Sequence, residues 1–245
     1  MTESHSVPIV LVPGLMCSPR LFAEQIPQLW RIGPVTLAVH TRDDSMQAMA
    51  RRILASAPAR FALAGLSMGG YVCFEILRQE PQRVAKLVLL DTSARADPPE
   101  RAGQRRSQID MARDGRLGEV ADMLFPRLVH ARRWGDESLR CIWRAMVQEV
   151  GAEGFIHQQT AILARQDSRQ GLSAVRCPTL VVVGDGDVLT PPELGEEIAN
   201  GIPDARRVII RDSGHLSPLE QPAAVTKAMV QFLTGSRTAA TSAAR

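Results

Sequence analysis

Six short apolar runs, at 8–12, 35–39, 60–64, 86–90, 179–183 and 207–210, alternate with longer amphipathic runs over much of this chain. Each run is too short to stand as a helix and too continuously apolar for a strand with one wet face. The arrangement that satisfies both facts is a parallel sheet buried on both sides, with each connecting helix laid back over it. The spacing predicts helices over 20–30, 45–57, 68–79, 192–200 and 219–232. Asp43, Asp44 and Ser45 offer N-cap oxygens to the second of these. Gly201 stands where a glycine would close the fourth. A chain of 245 residues, 45% apolar, can enclose such a sheet in one large core, and that core must be aliphatic because aromatics are only 4%.

The rhythm breaks between 95 and 170. That stretch is rich in Arg, Asp and Glu, with apolar residues at helical spacing, such as Leu117, Val120, Met123 and Leu124. About 75 residues far exceeds an ordinary connection inside a compact domain. It reads as a helical insertion folded over one end of the sheet. The expected organisation is therefore a core of 1–94 and 171–245 carrying a helical cap of 95–170. Residues 235–245 form a small, polar tail expected to fray. Arginines in the insertion, including Arg105, Arg106, Arg132 and Arg133, are matched by acids, which predicts a solvated helix face.

Charge and cysteine usage narrow the function classes. The net charge is +3, with no long basic run, so nothing argues for nucleic acid. No segment is apolar enough to span a membrane, and no basic start followed by an apolar stretch marks a secretory leader. Cys17, Cys73, Cys141 and Cys177 are widely spaced and form no metal-type pattern, as expected of free thiols in the cytoplasm.

Gly65-Leu66-Ser67-Met68-Gly69 lies directly between an apolar strand and a helix. A sharp turn of this kind strains the serine and aims its hydroxyl out of the sheet, at the positive end of the helix dipole. The flanking glycines are needed because side chains there would strike neighbouring backbone. A serine hydroxyl is a weak nucleophile, so it needs a base, and the base needs an orienting carboxylate. After a strand–serine–helix turn the chain order is Ser, acid, His. Of five histidines, only His215 follows a late strand and precedes a helix, in Asp212-Ser213-Gly214-His215. For the acid, Gly184-Asp185-Gly186-Asp187 offers two carboxylates. Asp187 is preferred because Asp185 is nearer the strand and suited to capping its own turn. Asp91, at the end of the fourth strand, is a third candidate whose alternative role is a turn residue. Oxyanion donors are expected from the backbone N–H of Met68 and of Leu15, in the glycine-containing loop after the first strand.

These motifs, Val-Pro-Gly-Leu at 12–15, Gly-Leu-Ser-Met-Gly-Gly at 65–70, Gly-Asp-Gly-Asp at 184–187 and Ser-Gly-His at 213–215, together resemble the α/β-hydrolase superfamily. The resemblance implies an α/β-hydrolase fold. Only about seven residues precede the first strand, so the two N-terminal strands of larger members are expected to be missing, leaving a six-stranded, mainly parallel sheet. Many relatives carry His-Gly where this chain has Pro13-Gly14, a change that keeps the backbone donors. The stretch from Phe155 to Thr160, with Ala161, Ile162 and Arg165 to Arg169, resembles the last cap helix and hinge of small esterase-like and enol-lactonase-like members, where it either lines the pocket or packs the cap on the core and caps the helix. The implied activity is cleavage of a small ester or lactone through an acyl-enzyme, with no metal or organic cofactor. Thioester, amide or C–C hydrolysis and cofactor-free perhydrolysis share the same machinery, and a non-catalytic ligand-binding protein is the alternative of another class. Oligomeric state is open.

Overall fold

A computed structural model describes residues 7–235. Its six strands are β1 (Ile9–Val12), β2 (Val35–Leu37), β3 (Phe61–Leu66), β4 (Val84–Leu90), β5 (Thr179–Gly184) and β6 (Ala205–Ile210). They form one sheet in the order β2-β1-β3-β4-β5-β6, and every pairing is parallel. The chain steps outward from β1 to β2, then returns to place β3 on the other side of β1. The strand order therefore reverses between β1 and β3, and in open parallel sheets ligands bind outside the carboxyl ends of strands at such a switch.

Nine helices accompany the sheet among the described residues: α1 (Ile26–Leu29), α2 (Met46–Ser56), α3 (Met68–Gln79), α4 (Pro99–Arg113), α5 (Leu117–Leu128), α6 (Glu137–Leu163), α7 (Pro192–Gly201), α8 (Ser217–Glu220) and α9 (Pro222–Thr234). Alternation along the strands sorts the core into two layers. Ile9, Leu11, Ala62, Ala64, Val88 and Leu180 face one cluster, which includes Phe22, Met229 and Trp143. Val10, Val12, Leu63, Leu87 and Val181 face the other, which includes Met49, Ile53, Val72 and Ile198 from α2, α3 and α7. Both sheet faces are thus covered, which is why the strands read as unbroken apolar runs.

Three sequence expectations change. The helix expected over 20–30 is a 3₁₀ turn, Pro19–Phe22, followed by the short α1. Pro27 has no N–H to give, and its ring excludes a continuous helix through that point. The helix expected over 219–232 is likewise split at Pro222, which opens α9. Gly201 does not close α7 in a left-handed conformation. It is the last helical residue, and the next, Ile202, is extended. What calls for glycine there is space: a Cβ would come within 2.7 Å of the Leu172 side chain. Ser45 caps α2 as expected, accepting from the Ala48 N–H at 3.3 Å. Asp43 instead pairs with Arg52. His5 and the tail beyond Gly235 lie outside the described residues.

Between β4 and β5 the chain forms α4, α5 and α6. α6 bends at Gly151, whose φ of 70° and ψ of 172° interrupt the helix. The bend sends the second half, with Phe155, Gln158 and Gln159, back toward the ends of β1 and β4, where Gln158 meets Met16 and Ser168 meets Ala94. No helix among the described residues is long and apolar enough to cross a membrane.

Candidate active site

Ser67 follows β3 and precedes α3 with φ 53° and ψ −114°, a conformation that L-residues rarely adopt. Strain of this type costs about 1–3 kcal/mol and persists only where the surroundings enforce it. The enforcing contacts hold the Ser67 backbone from both sides. Ser67 N–H donates to the Leu90 carbonyl at 2.9 Å, and the Thr92 hydroxyl donates to the Ser67 carbonyl at 2.7 Å. A Cβ on Gly65 would collide with the Gly69 carbonyl, and one on Gly69 with the Val12 carbonyl. Turn, strand β1 and helix α3 thus approach more closely than any larger residue allows.

His215 and Asp187 meet on loops leaving β6 and β5. His215 Nδ1 lies 2.7 Å from Asp187 Oδ2. A carboxylate only accepts, so Nδ1 carries a proton, and in the neutral ring Nε2 is the nitrogen that keeps a lone pair. Asp187 is anchored further: its Oδ1 accepts from the N–H groups of Leu189 at 2.8 Å and Thr190 at 3.0 Å, and Oδ2 accepts from the Thr190 hydroxyl at 2.7 Å. Burial alone would lower the His215 pKa, but the charge and hydrogen bond of Asp187 outweigh it and hold the pKa above the ordinary value. Burial would raise Asp187, and the His215 partner holds it below the usual carboxylate range.

The loop carrying His215 hangs from α5. The N–H groups of His215 and Leu216 donate to the Leu128 carbonyl at 2.9 and 3.0 Å. Glu220 ties the same loop, accepting from Gly214 N–H at 2.8 Å and His130 N–H at 2.7 Å. Asp185 does not cap its own turn. Its Oδ1 accepts from Ser213 N–H at 3.2 Å and so joins the β5 and β6 loops. Asp91 is fully buried, but it faces Gly184 N–H and the Ser217 hydroxyl rather than the imidazole. Burial, reinforced by the nearby Asp187 charge, pushes its pKa well above the carboxylate range.

The loop after β1 completes the site. Met16 takes φ 57°, and its N–H donates to Gln158 Oε1 at 3.0 Å. The buried His40 Nε2 lies 3.1 Å from the Gly14 carbonyl and 3.2 Å from Gln158 Nε2. Burial lowers the His40 pKa against the opposing hydrogen bond to the Gly14 carbonyl. Among the described residues neither the Leu15 nor the Met68 N–H has a protein acceptor. Buried or half-buried donors of this kind are rare in proteins. Gly14, Leu15, Ser67 and His215 line one cavity, which brings the sequence candidates from three loops together. Ser67 Oγ and the imidazole are not hydrogen-bonded to each other among the described residues, and such bonds commonly tighten only when substrate arrives.

Cys17 also lines the cavity, but burial pushes its thiol up to about 12, which leaves it without thiolate character. Sequence reasoning did not single out Thr190, Glu220 or the His40–Gln158 pair. Their hydrogen bonds join elements far apart in the chain, and no local pattern marks them. Arg105 is not on a solvated face: it lines the cavity with Arg101 and Arg127. No cluster of three or more His, Cys, Asp or Glu side chains fit to hold a metal occurs among the described residues.

A family model for the alpha/beta hydrolase fold matches residues 31–222. The chain belongs to the α/β-hydrolase family. Among solved structures, this α/β hydrolase is similar to a thermophilic esterase from Thermogutta terrifontis, at 32% identity and a TM-score of 0.86, covering 95% of this chain and 91% of that one. It is also similar to an enol-lactonase from Burkholderia xenovorans LB400, at 26% identity and a TM-score of 0.84, covering 96% and 94%. A pimeloyl-[acyl-carrier protein] methyl ester esterase from Aromatoleum aromaticum is 27% identical over 87% of this chain and 93% of its own. The protein is an enzyme of this superfamily.

Proposed function

We propose that the protein is a serine hydrolase that cleaves a small carboxylic ester or lactone through an acyl-enzyme. The reading rests on one observation above all: Asp187 engages Nδ1 of His215 and leaves Nε2 unengaged beside the cavity that Ser67 lines. The esterases and the enol-lactonase among the similar proteins favour ester and lactone bonds over the other acyl groups that such a site can open.

In the first step Ser67 Oγ bonds to the substrate carbonyl carbon as its proton passes to His215 Nε2. The carbonyl electron pair moves onto oxygen, where the N–H groups of Leu15 and Met68 receive it. Each such donor contributes about 3 kcal/mol to the transition state. The intermediate collapses, the alkoxide leaves, and it takes the proton from Nε2. Water then attacks the acyl-serine while giving a proton to His215. The second collapse frees the carboxylic acid and returns the proton to Ser67. In a lactone the alcohol and the acid stay in one molecule. These steps call on no metal or organic cofactor. Asp187 stabilises the imidazolium that forms twice in the cycle and fixes the ring orientation. Residues 95–170 act as a cap over the cavity, with Arg101, Leu124 and Trp143 contributed by α4, α5 and α6.

A fluorophosphonate probe tests the nucleophile. Wild type is expected to take one adduct on the peptide carrying Ser67, and Ser67→Ala to take none and to lose ester turnover. Adduct on another peptide, or turnover kept by Ser67→Ala, refutes the assignment.

A further inference from the structure

We infer that this site prefers esters or lactones that carry a carboxylate elsewhere in the molecule, held by Arg101 and Arg127. The inference rests on the hydrolase reading and adds the chemistry of the substrate's far end.

Helix α4 turns Arg101, Gln104, Arg105 and Gln108 toward the cavity. Steps of three and four residues place all of them on one helix face. Arg127, near the end of α5, lines the same cavity. Three guanidinium groups therefore line it, and no carboxylate does.

One of the three is already matched. Arg105 pairs with Asp97 and donates to Gln159 Oε1 at 2.7 Å. Asp97 is shared with Arg165, 2.9 Å away, so even this single acid serves two cations. Both hydrogen bonds and both charges hold Asp97 ionised against the opposing effect of its burial. Arg101 donates only to the Leu189 carbonyl, at 3.3 Å. Arg127 has no hydrogen bond or ion pair among the described residues. Several arginines elsewhere pair with acids, as in Arg52–Asp43, Arg95–Glu197, Arg133–Asp136 and Arg144–Asp122, while others such as Arg60, Arg106 and Arg211 have no acid partner among the described residues but do not line the cavity.

Much of the rest of the wall is apolar, including Leu124, Leu128, Trp143 and Ile162. Arg101 is half-buried and Arg127 exposed, so both are open to an incoming group, and the planar fork of a guanidinium matches a carboxylate better than any neutral group. The ligand that satisfies the whole wall is amphiphilic. It has a scissile carbonyl at Ser67, hydrocarbon along the leucines and Trp143, and an anion at the arginines.

The experiment compares matched esters on the intact protein. One pair is the methylumbelliferyl monoester of suberate against methylumbelliferyl octanoate, with the charge on the acyl side. The other is para-carboxyphenyl octanoate against phenyl octanoate, with the charge on the alcohol side. In at least one pair the anionic ester is expected to show a kcat/KM higher by about tenfold, the size of one charge-assisted hydrogen bond. That ratio should collapse in Arg101→Gln/Arg127→Gln, mainly through KM, and stay in the control Arg106→Gln. Independently, suberate titrated into Ser67→Ala is expected to bind, and to bind at least about tenfold more weakly once both arginines are replaced. Turnover with no charge preference, and no suberate binding, overturns the inference and leaves the hydrolase reading standing. Suberate binding lost with the arginines but no ester turnover keeps the anion site and sinks the hydrolase reading instead.

Discussion

Gln158 Oε1 accepts the N–H of Met16 at 3.0 Å, a bond that joins α6 to the loop after β1 across 142 residues of chain. Met16 holds a left-handed φ of 57°, and its neighbour Leu15 carries one of the two unpartnered N–H groups. On the proposed mechanism Gln158 is therefore a positioning residue for Leu15. Replacing it by Leu keeps most of the volume and removes the acceptor. A small misplacement of a catalytic group can cost about a hundredfold in rate. Gln158→Leu is expected to lower kcat by about ten- to a hundredfold with KM little changed. A trifluoromethyl ketone, which mimics the oxyanion, should lose affinity in parallel. A rise in KM with kcat unchanged would instead mean that Gln158 only packs the helix.

The two buried carboxylates separate cleanly by mutation. Asp187→Asn removes the charge that holds His215, and such a change typically lowers kcat by about 10⁴. Asp91 makes no hydrogen bond to the imidazole, and Asp91→Asn keeps an acceptor for Gly184 N–H and nearly the same shape beside the Ser217 hydroxyl. Turnover within a few-fold of wild type is expected. A loss as deep as that of Asp187→Asn would transfer the orienting role to Asp91.

The pH profile follows from the direction of the His215 shift. On the proposed mechanism His215 works as base only when its imidazole is neutral, and Asp187 raises its pKa above the ordinary value of about 6.5. Activity should therefore fall on the acid side through a kcat/KM limb centred above that value, as the ring protonates. Residual turnover in Asp187→Asn should show the limb moved to lower pH, since the stabilising charge is gone. An unmoved limb points to a different titrating group.

Gly69→Ala places a methyl group against the Val12 carbonyl, where backbone on both sides leaves no room to relax. Overpacking of this kind costs about 1–3 kcal/mol and more when backbone must move. A loss of at least about 3 kcal/mol is expected from urea unfolding, with activity reduced even where the protein remains folded. Wild-type stability in this variant would show that β1 and α3 are less tightly apposed than described.

What the sequence disclosed and what it withheld divide along a physical line. Buried parallel strands announce themselves as apolar runs, and the glycines about Ser67 announce a close approach of backbone, so β3, Ser67 and α3 were legible to within a residue or two. The β5 loop was legible as a pair of aspartates, with Asp187 preferred. The network that fixes the site was not. Thr190 bonding Asp187, Glu220 bonding Gly214, and Gln158 bonding Met16 depend on where loops arrive in space. Arg105 was misjudged for the same reason, whereas Arg106 and Arg132 are exposed as expected. Counting acids and bases along 95–170 balances the charge, but α4 turns Arg101 and Arg105 inward while many of the acids face outward.

The suspension of the His215 loop from the Leu128 carbonyl has a consequence for how this enzyme can diversify. Leu124, Arg127 and Leu128 shape the wall that meets the ligand, and the last of them also carries the imidazole's tether. A lineage that reshapes this stretch to accept a new molecule perturbs its proton carrier in the same stroke. Drift in preference should therefore accumulate first on α4, where Gln104 and Gln108 face the cavity without holding any part of the histidine loop.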